Sequence, residues 1–205
     1  MQVDEINARK TAATQESIHE LIARRWSPRA FDPSRPVSHA ELVAVLEAAR
    51  WAPSCFGDEP WRYVVCDRFD DENVWQGALD CLTEKNQLWA RNAPVLMLAV
   101  ADSRFRNGRA NRWAQYDTGA ASVSLCLQAA AQGMAAHQMG GFDSAKARET
   151  FQVPEQFTPM AMIALGYQAD PEGVHEDFRE QELAPRVRQP LGESFFKGKW
   201  AVAVD

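Results

Sequence analysis

The 205-residue sequence is poor in the residues that build covalent or metal frameworks. Its four cysteines, Cys55, Cys66, Cys81 and Cys126, stand far apart with no C-x-x-C pair, which excludes a zinc ribbon, a redox dithiol and a dense disulfide scaffold. Free thiols in a reducing cytoplasm are the simplest expectation. The histidines His19, His39, His137 and His175 show no metal-ligand spacing, so no metal is expected. There is no G-x-S-x-G, no Walker loop and no G-x-G-x-x-G. The longest apolar stretch, Ala93 to Ala101, falls well short of the roughly 20 residues that span a bilayer, and nothing at the N-terminus resembles a signal peptide. Positive charge is scarce too. A net charge of -6 gives no general attraction to nucleic acid or to an anionic membrane, so any anionic ligand must be met by a local cluster of arginines. With neither a metal nor an activated nucleophile in view, an enzyme of this sequence would need a bound organic cofactor.

What is present fits one soluble globular domain over 1–205: 46% hydrophobic, 24% charged and 10% aromatic residues, with seven Trp, a ring favoured at subunit interfaces and beside planar ligands. Two capping boxes, Ser17-Ile18-His19-Glu20 and Ser38-His39-Ala40-Glu41, predict helix starts. After the second, Leu42, Val45, Leu46 and Ala49 follow the helical i, i+3, i+4, i+7 stripe until Pro53 disfavours helix at Ala52. The pattern then predicts a strand over Trp61–Cys66, one helix from about Asn73 to Arg91, and a strand buried on both faces over Pro94–Val100. A long helix over Tyr116–Met134, apolar nearly all round, reads as buried and as a candidate dimer core. Ala135–Met139 reads as a strand, Asp143 or Ser144 as the cap of a helix through Phe151, and Met160–Gly166 as the last strand. The polar tail from about Ala169 retains Phe195, Phe196 and Trp200, as expected of a segment wrapping a partner subunit. Helices alternating with four or five short strands give an α/β or α+β sandwich.

Four segments carry candidate chemistry. Arg24-Arg25-Trp26-Ser27-Pro28-Arg29 follows the first predicted helix, and guanidinium forks with a Ser hydroxyl suit a phosphate, although cations there also complement a helix macrodipole. In Ala52-Pro53-Ser54-Cys55-Phe56-Gly57-Asp58-Glu59-Pro60-Trp61, two prolines and a glycine fix an irregular backbone, and small side chains let a flat ligand approach it; an ordinary connection would also serve. No His stands near Cys55 in sequence to activate it as a nucleophile. Met139-Gly140-Gly141 ends a strand, where bare N–H groups can point at a ligand or simply make a turn. In Arg186-Val187-Arg188, alternation places both guanidinia on one side of an extended chain. His137 reads as a packed, hydrogen-bonded residue.

In this order the segments resemble the nitroreductase-like flavoproteins, and the resemblance covers about Ser17 to Leu191. The family's R-x-S-x-R/K-x-F matches Arg25-Trp26-Ser27-Pro28-Arg29-Ala30-Phe31, and its A-P-S-x-x-N-x-Q-P-W matches Ala52 to Trp61, with Gly57 in place of Asn and Glu59 in place of Gln. The resemblance implies a three-layer α+β sandwich with a central, mostly antiparallel sheet flanked by helices, in an intertwined homodimer with FMN at the subunit interface. It implies that Arg25, Trp26 and Ser27 hold the FMN phosphate and ribityl chain, that Arg29 lies near the N1 and C2 edge as the catalytic residue, and that Arg186 and Arg188 bind the phosphate. Pro53, Ser54, Cys55 and, more weakly, Gly57 would reach the flavin of the other subunit. Asn86 would meet the pyrimidine edge, and Met139, Gly140 and Gly141 would cover the ring and donate to N5. The implied activity is hydride transfer from NAD(P)H through flavin N5 to a small acceptor such as a nitroaromatic, quinone or enal. The alternative is an FMN-binding or flavin-storage protein without turnover.

Overall fold

The computed structural model describes residues 2–204, and the ends of the expected 1–205 domain, Met1 and Asp205, lie outside the described residues. In chain order the elements are α1 (Val3–Arg9), α2 (Glu20–Arg24), α3 (His39–Arg50), β1 (Trp61–Asp67), α4 (Glu72–Asp80), α5 (Glu84–Ala90), β2 (Val95–Asp102), α6 (Ala114–Ala131), β3 (Ala135–Met139), α7 (Ser144–Thr150), β4 (Phe157–Gly166) and α8 (Glu176–Leu183). The four strands form one antiparallel sheet in the order β1-β2-β4-β3, with Trp61 opposite Ala101, Val95 opposite Leu165 and Ala135 opposite Gly166.

Period-two alternation along β2 builds the layers. Leu96, Leu98 and Val100 enter a cluster with Trp75, Leu79, Trp89, Ala147 and Phe178, from α4, α5, α7 and α8. Val95, Met97 and Ala99 enter a second cluster with Val45, Ala49, Ala121 and Leu125, from α3 and α6. The expected three-layer α+β sandwich follows directly. Each fully buried Leu or Met of β2 contributes about 1.5–3 kcal/mol relative to exposure, so this strand anchors the fold.

The Ser38 capping box forms as expected: the hydroxyl accepts from Glu41 N at 3.3 Å, and the Glu41 carboxylate accepts from Ser38 N at 2.9 Å. Asp143 caps α7 by accepting from Ala145 N and Lys146 N, both at 3.0 Å. Other expectations are corrected. Helix α2 starts at Glu20 with His19, not Ser17, as its cap, and Leu21 N donates to His19 Nδ1 at 3.2 Å. Ile18 is exposed, so an earlier turn would have no apolar face to bury. The helix expected over 73–91 is two helices. Between them Cys81 and Leu82 are buried, Thr83 N donates to Gly141 O at 3.1 Å and Asp143 N to Cys81 O at 2.8 Å. Tertiary backbone pairing there replaces helical bonds.

Helix α6 is buried on one side only, since Trp113, Tyr116 and Val123 remain exposed along its flank. The tail divides. Val174, Phe178 and Glu182 pack on the chain's own core, whereas Val187, Phe195 and Trp200 beyond them are exposed. No helix among the described residues is long and apolar enough to cross a membrane.

Candidate functional site

The segment after α2 is irregular because its own backbone offers few bonds. Arg25 caps α2, with its N–H on Leu21 O, and regular pairing resumes only at Phe31, which bridges to Gln168. Side chains from elsewhere fill the gap. Pro28 O lies 2.9 Å from His137 Nδ1. Glu182, with no solvent exposure, accepts from Arg29 N at 2.9 Å and from Ala30 N at 3.1 Å. Arg186 donates to Arg25 O at 2.6 Å and also to Ala23 O. The Trp26 indole donates to Asn7 at 2.8 Å beneath the Lys10 ammonium, which is 4.6 Å from its ring centroid.

This architecture concentrates positive charge in an acidic chain. Burial lowers the Arg186 pKa, and the nearby charges of Arg25 and Arg188 push it the same way. The buried Arg186 Nε has no partner, and no carboxylate forms an ion pair with Arg25, Arg186 or Arg188 among the described residues. Arg25 lies 3.5 Å from the Ser27 hydroxyl. Such a cluster suits an anion with several acceptor oxygens. A cleft of about 480 Å³ lined by Arg25, Trp26, Pro28, Cys126, Ala136 and Tyr167 borders the segment, within the size range of cofactor pockets.

His137 ties this segment to the next. Burial holds its pKa down at about 4, with Arg29 and Arg25 adding to the effect against the Pro28 hydrogen bond. The neutral ring therefore donates from Nδ1 to Pro28 O and packs against Trp89 of α5 at 4.6 Å between centroids. One turn earlier on α5, Asn86 donates to Gly141 O at 2.9 Å and keeps its Oδ1 unpartnered among the described residues. The N–H groups of Gly140 and Gly141 meet no acceptor among the described residues. A Cβ at Gly140 would touch nothing within 4 Å, whereas one at Gly141 would come within 2.7 Å of Asn86 Nδ2. Both Arg29 and Lys85 lie over the Phe178 ring, at 5.2 and 5.8 Å. Burial lowers the Arg29 pKa, and Glu182 opposes that shift.

The third expected segment lies elsewhere. Cys55 N donates to the buried Asp117 carboxylate at 2.9 Å, and Glu59 N donates to Ser54 Oγ at 3.0 Å. Phe56, Gly57 and Glu59 have φ of 57°, 64° and 51°, positive values on either side of Asp58 that are costly for Phe and Glu. Gly57 replaces Asn at little backbone cost, because those two residues best tolerate this region. Phe56 is 93% exposed. Asp117 and Cys126, whose thiol feels the Arg25 charge, are nine residues apart on α6, a rise of about 14 Å.

One chain thus brings together Arg25, Trp26, Ser27, Arg29, Arg186 and Arg188, and joins them through His137 and Trp89 to Asn86, Met139, Gly140 and Gly141. It leaves Pro53, Ser54, Cys55 and Gly57 at the other end of α6. Sequence reasoning missed Glu182, Phe178, Lys85 and Asp117. None sits in a local pattern, and each acts on a residue distant in sequence.

Comparison with known proteins adds an independent line. The profile of the Nitroreductase family matches residues 22–167. A crystal structure described as an oxidoreductase containing FMN superimposes with a TM-score of 0.84 at 34% identity, covering 92% of this chain and 95% of that one. A Staphylococcus haemolyticus protein provisionally named as an NAD(P)H nitroreductase is 27% identical over 87% of this chain and 96% of its own length. An uncharacterized 15.4 kDa protein of Mycolicibacterium smegmatis is 34% identical over 58% of this chain and 80% of its own.

Proposed function

The chain belongs to the nitroreductase family, and from that premise we propose that it is an FMN-dependent NAD(P)H oxidoreductase acting on a small acceptor such as a nitroaromatic, quinone or enal. The observation that carries this reading is the cluster of Arg25, Arg186 and Arg188, free of carboxylate partners among the described residues and connected through His137, Trp89 and Asn86 to the bare N–H groups of Gly140 and Gly141.

The residues present fit FMN. The mutually repelling guanidinia of Arg25, Arg186 and Arg188 suit its phosphate, and a Cβ at Gly140 would meet nothing within 4 Å, which leaves the backbone there open to a flat ring. Arg25, Ser27, Arg186 and Arg188 would hold the phosphate, with Trp26 anchoring the segment between them. Asn86 Oδ1 would accept from the pyrimidine edge, and Gly140 or Gly141 would donate to N5. When bound, FMN supplies the two-electron chemistry, accepting hydride from NAD(P)H and passing it on. The role of Arg29 is electrostatic: a half-buried, permanent cation stabilises negative charge near N1 without moving a proton.

A homodimer belongs to the same proposal. Pro53, Ser54, Cys55 and Gly57 sit too far along α6 to join the Arg25 cluster of their own chain, so a twofold partner would bring its copy of this loop over the flavin. Exposed Val43 and Trp51 of α3 and its end, with Trp113, Tyr116 and Val123 on α6, form an apolar face for that contact.

The visible spectrum of the purified protein tests the reading. Flavin absorption that bleaches on anaerobic addition of NADH or NADPH is the expected result. Flavin bands that persist would leave a flavin-binding protein without turnover, and a protein that stays colourless after incubation with FMN would reject the proposal.

A further inference from the structure

Glu182 is a buried ionisable group for which the proposed chemistry has no use. It lies in α8, has no solvent exposure, and makes no ion pair within 4 Å among the described residues. A carboxylate withdrawn from water costs several kcal/mol unless hydrogen bonds and nearby charge compensate it. Here the compensation is specific. Arg29 N donates to both carboxylate oxygens, at 2.9 and 3.1 Å, and Ala30 N donates to one of them at 3.1 Å. Burial still raises its pKa, while these hydrogen bonds and the charges of Arg29 and Lys10 oppose that shift, with the Lys10 ammonium held one residue away on Gln181 O at 2.8 Å.

Among the described residues, these are the only hydrogen bonds donated by the backbone N–H groups of residues 26–31. Further along the tail, Arg186 takes the carbonyls of Ala23 and Arg25 at the other end of the same segment. Phe178, one turn before Glu182, lies under the Arg29 guanidinium. The tail therefore grips the segment at its first and last residues and at one side chain.

We propose that Glu182 is a positioning residue of the cofactor site, clamping the Arg25–Arg29 segment from the tail together with Arg186. This inference rests on the FMN reading and deepens it, because it makes the tail part of the phosphate site. Without the clamp, residues 26–31 have no backbone donor bonds to hold one conformation. The fraction of molecules with Arg25 and Ser27 ready for a phosphate falls, and the apparent affinity falls by the same factor.

The test compares FMN with riboflavin, which lacks the phosphate, in titrations of apoprotein followed by flavin fluorescence. Glu182→Gln keeps the shape and an acceptor oxygen but loses the charge, and Glu182→Ala removes the acceptor. The expected result is that FMN affinity falls about fivefold for Glu182→Gln and tenfold or more for Glu182→Ala, as expected when charge-assisted bonds become neutral or are lost. Riboflavin affinity should fall by a smaller factor, since Arg25 and Ser27 of the clamped segment serve the phosphate whereas Arg29 serves the ring that both flavins share. A purely structural role would lower the thermal midpoint of the apoprotein and leave the ratio of FMN to riboflavin affinity unchanged. Equal weakening of both flavins, or an unchanged FMN affinity in a folded variant, overturns the inference. If Glu182→Ala fails to fold, Glu182→Gln carries the comparison. Wild-type protein that binds neither flavin would instead sink the FMN reading itself, a distinguishable outcome.

Discussion

At the scale of single residues, the site is governed by which charges are buried and what meets them. His137 has its pKa depressed to about 4, chiefly by burial. A base with a depressed folded pKa binds fewer protons folded than unfolded, so its contribution is complete above about 6.5 and is lost as pH falls toward about 4. Thermal midpoints should fall over that window by an amount worth at most about 3 kcal/mol, and His137→Gln should flatten the slope. An NMR titration showing the ring charged at pH 6 would contradict the assignment. Arg29 has a different role. Arg29→Ala should slow flavin reduction by about tenfold or more while FMN affinity falls less, since in the proposed role the cation would act where charge develops. An unchanged rate in stopped flow would reject that role.

At the scale of elements, the ends of helices and strands do the positioning. The α3 start rests on the Ser38 box, and Ser38→Ala should cost about 1 kcal/mol in denaturant unfolding. Glu41 is held down at about 2, first by the Ser38 hydroxyl and next by Tyr167, whose hydroxyl donates to it at 2.5 Å. Its contribution is therefore present above the ordinary 4.5 and lost as pH falls toward about 2, a slope that Glu41→Gln should remove. The break between α4 and α5 delivers Asn86 to Gly141. Gly141→Ala should displace the Asn86 amide and cost about 1 kcal/mol, whereas Gly140→Ala should stay within about 0.5 kcal/mol in stability. Calorimetry on both variants compares them directly, and equal losses would argue against the contact.

At the scale of the whole molecule, the residues of the proposed site lie toward opposite ends of α6. Placing a charge on the exposed flank of α6, as in Val123→Asp, should convert a dimer to monomers in analytical ultracentrifugation and reduce FMN affinity in parallel. A wild-type monomer with full FMN affinity would remove the need for a partner's Pro53–Gly57 loop. The exposed apolar side chains of the tail beyond Arg186 would offer a second surface for such a partner. The portion before it is committed to the chain's own Arg25–Arg29 segment.

Local patterns made much of this readable from the sequence. The Ser38 box is an i to i+3 relationship, the buried β2 run is a property of consecutive residues, and the three arginines proposed for the phosphate stand out against a net charge of -6. Together they pointed to an α/β or α+β sandwich around a buried strand and to arginine-rich segments suited to an anion, whereas the three layers and the antiparallel sheet were what the family resemblance implied. Contacts between residues far apart in the chain were beyond such patterns. Glu182 meets Arg29 across 153 positions, and Asp117 meets Cys55 across 62. One Glu among three in a polar helix and an Asp in an apolar one carry no local mark of their partners. Only the folded chain decided that one carboxylate would be sealed against backbone N–H groups and that the Pro53–Gly57 loop would lie apart from the cluster. A hydrogen bond depends on proximity in space, and the sequence records proximity only along the chain.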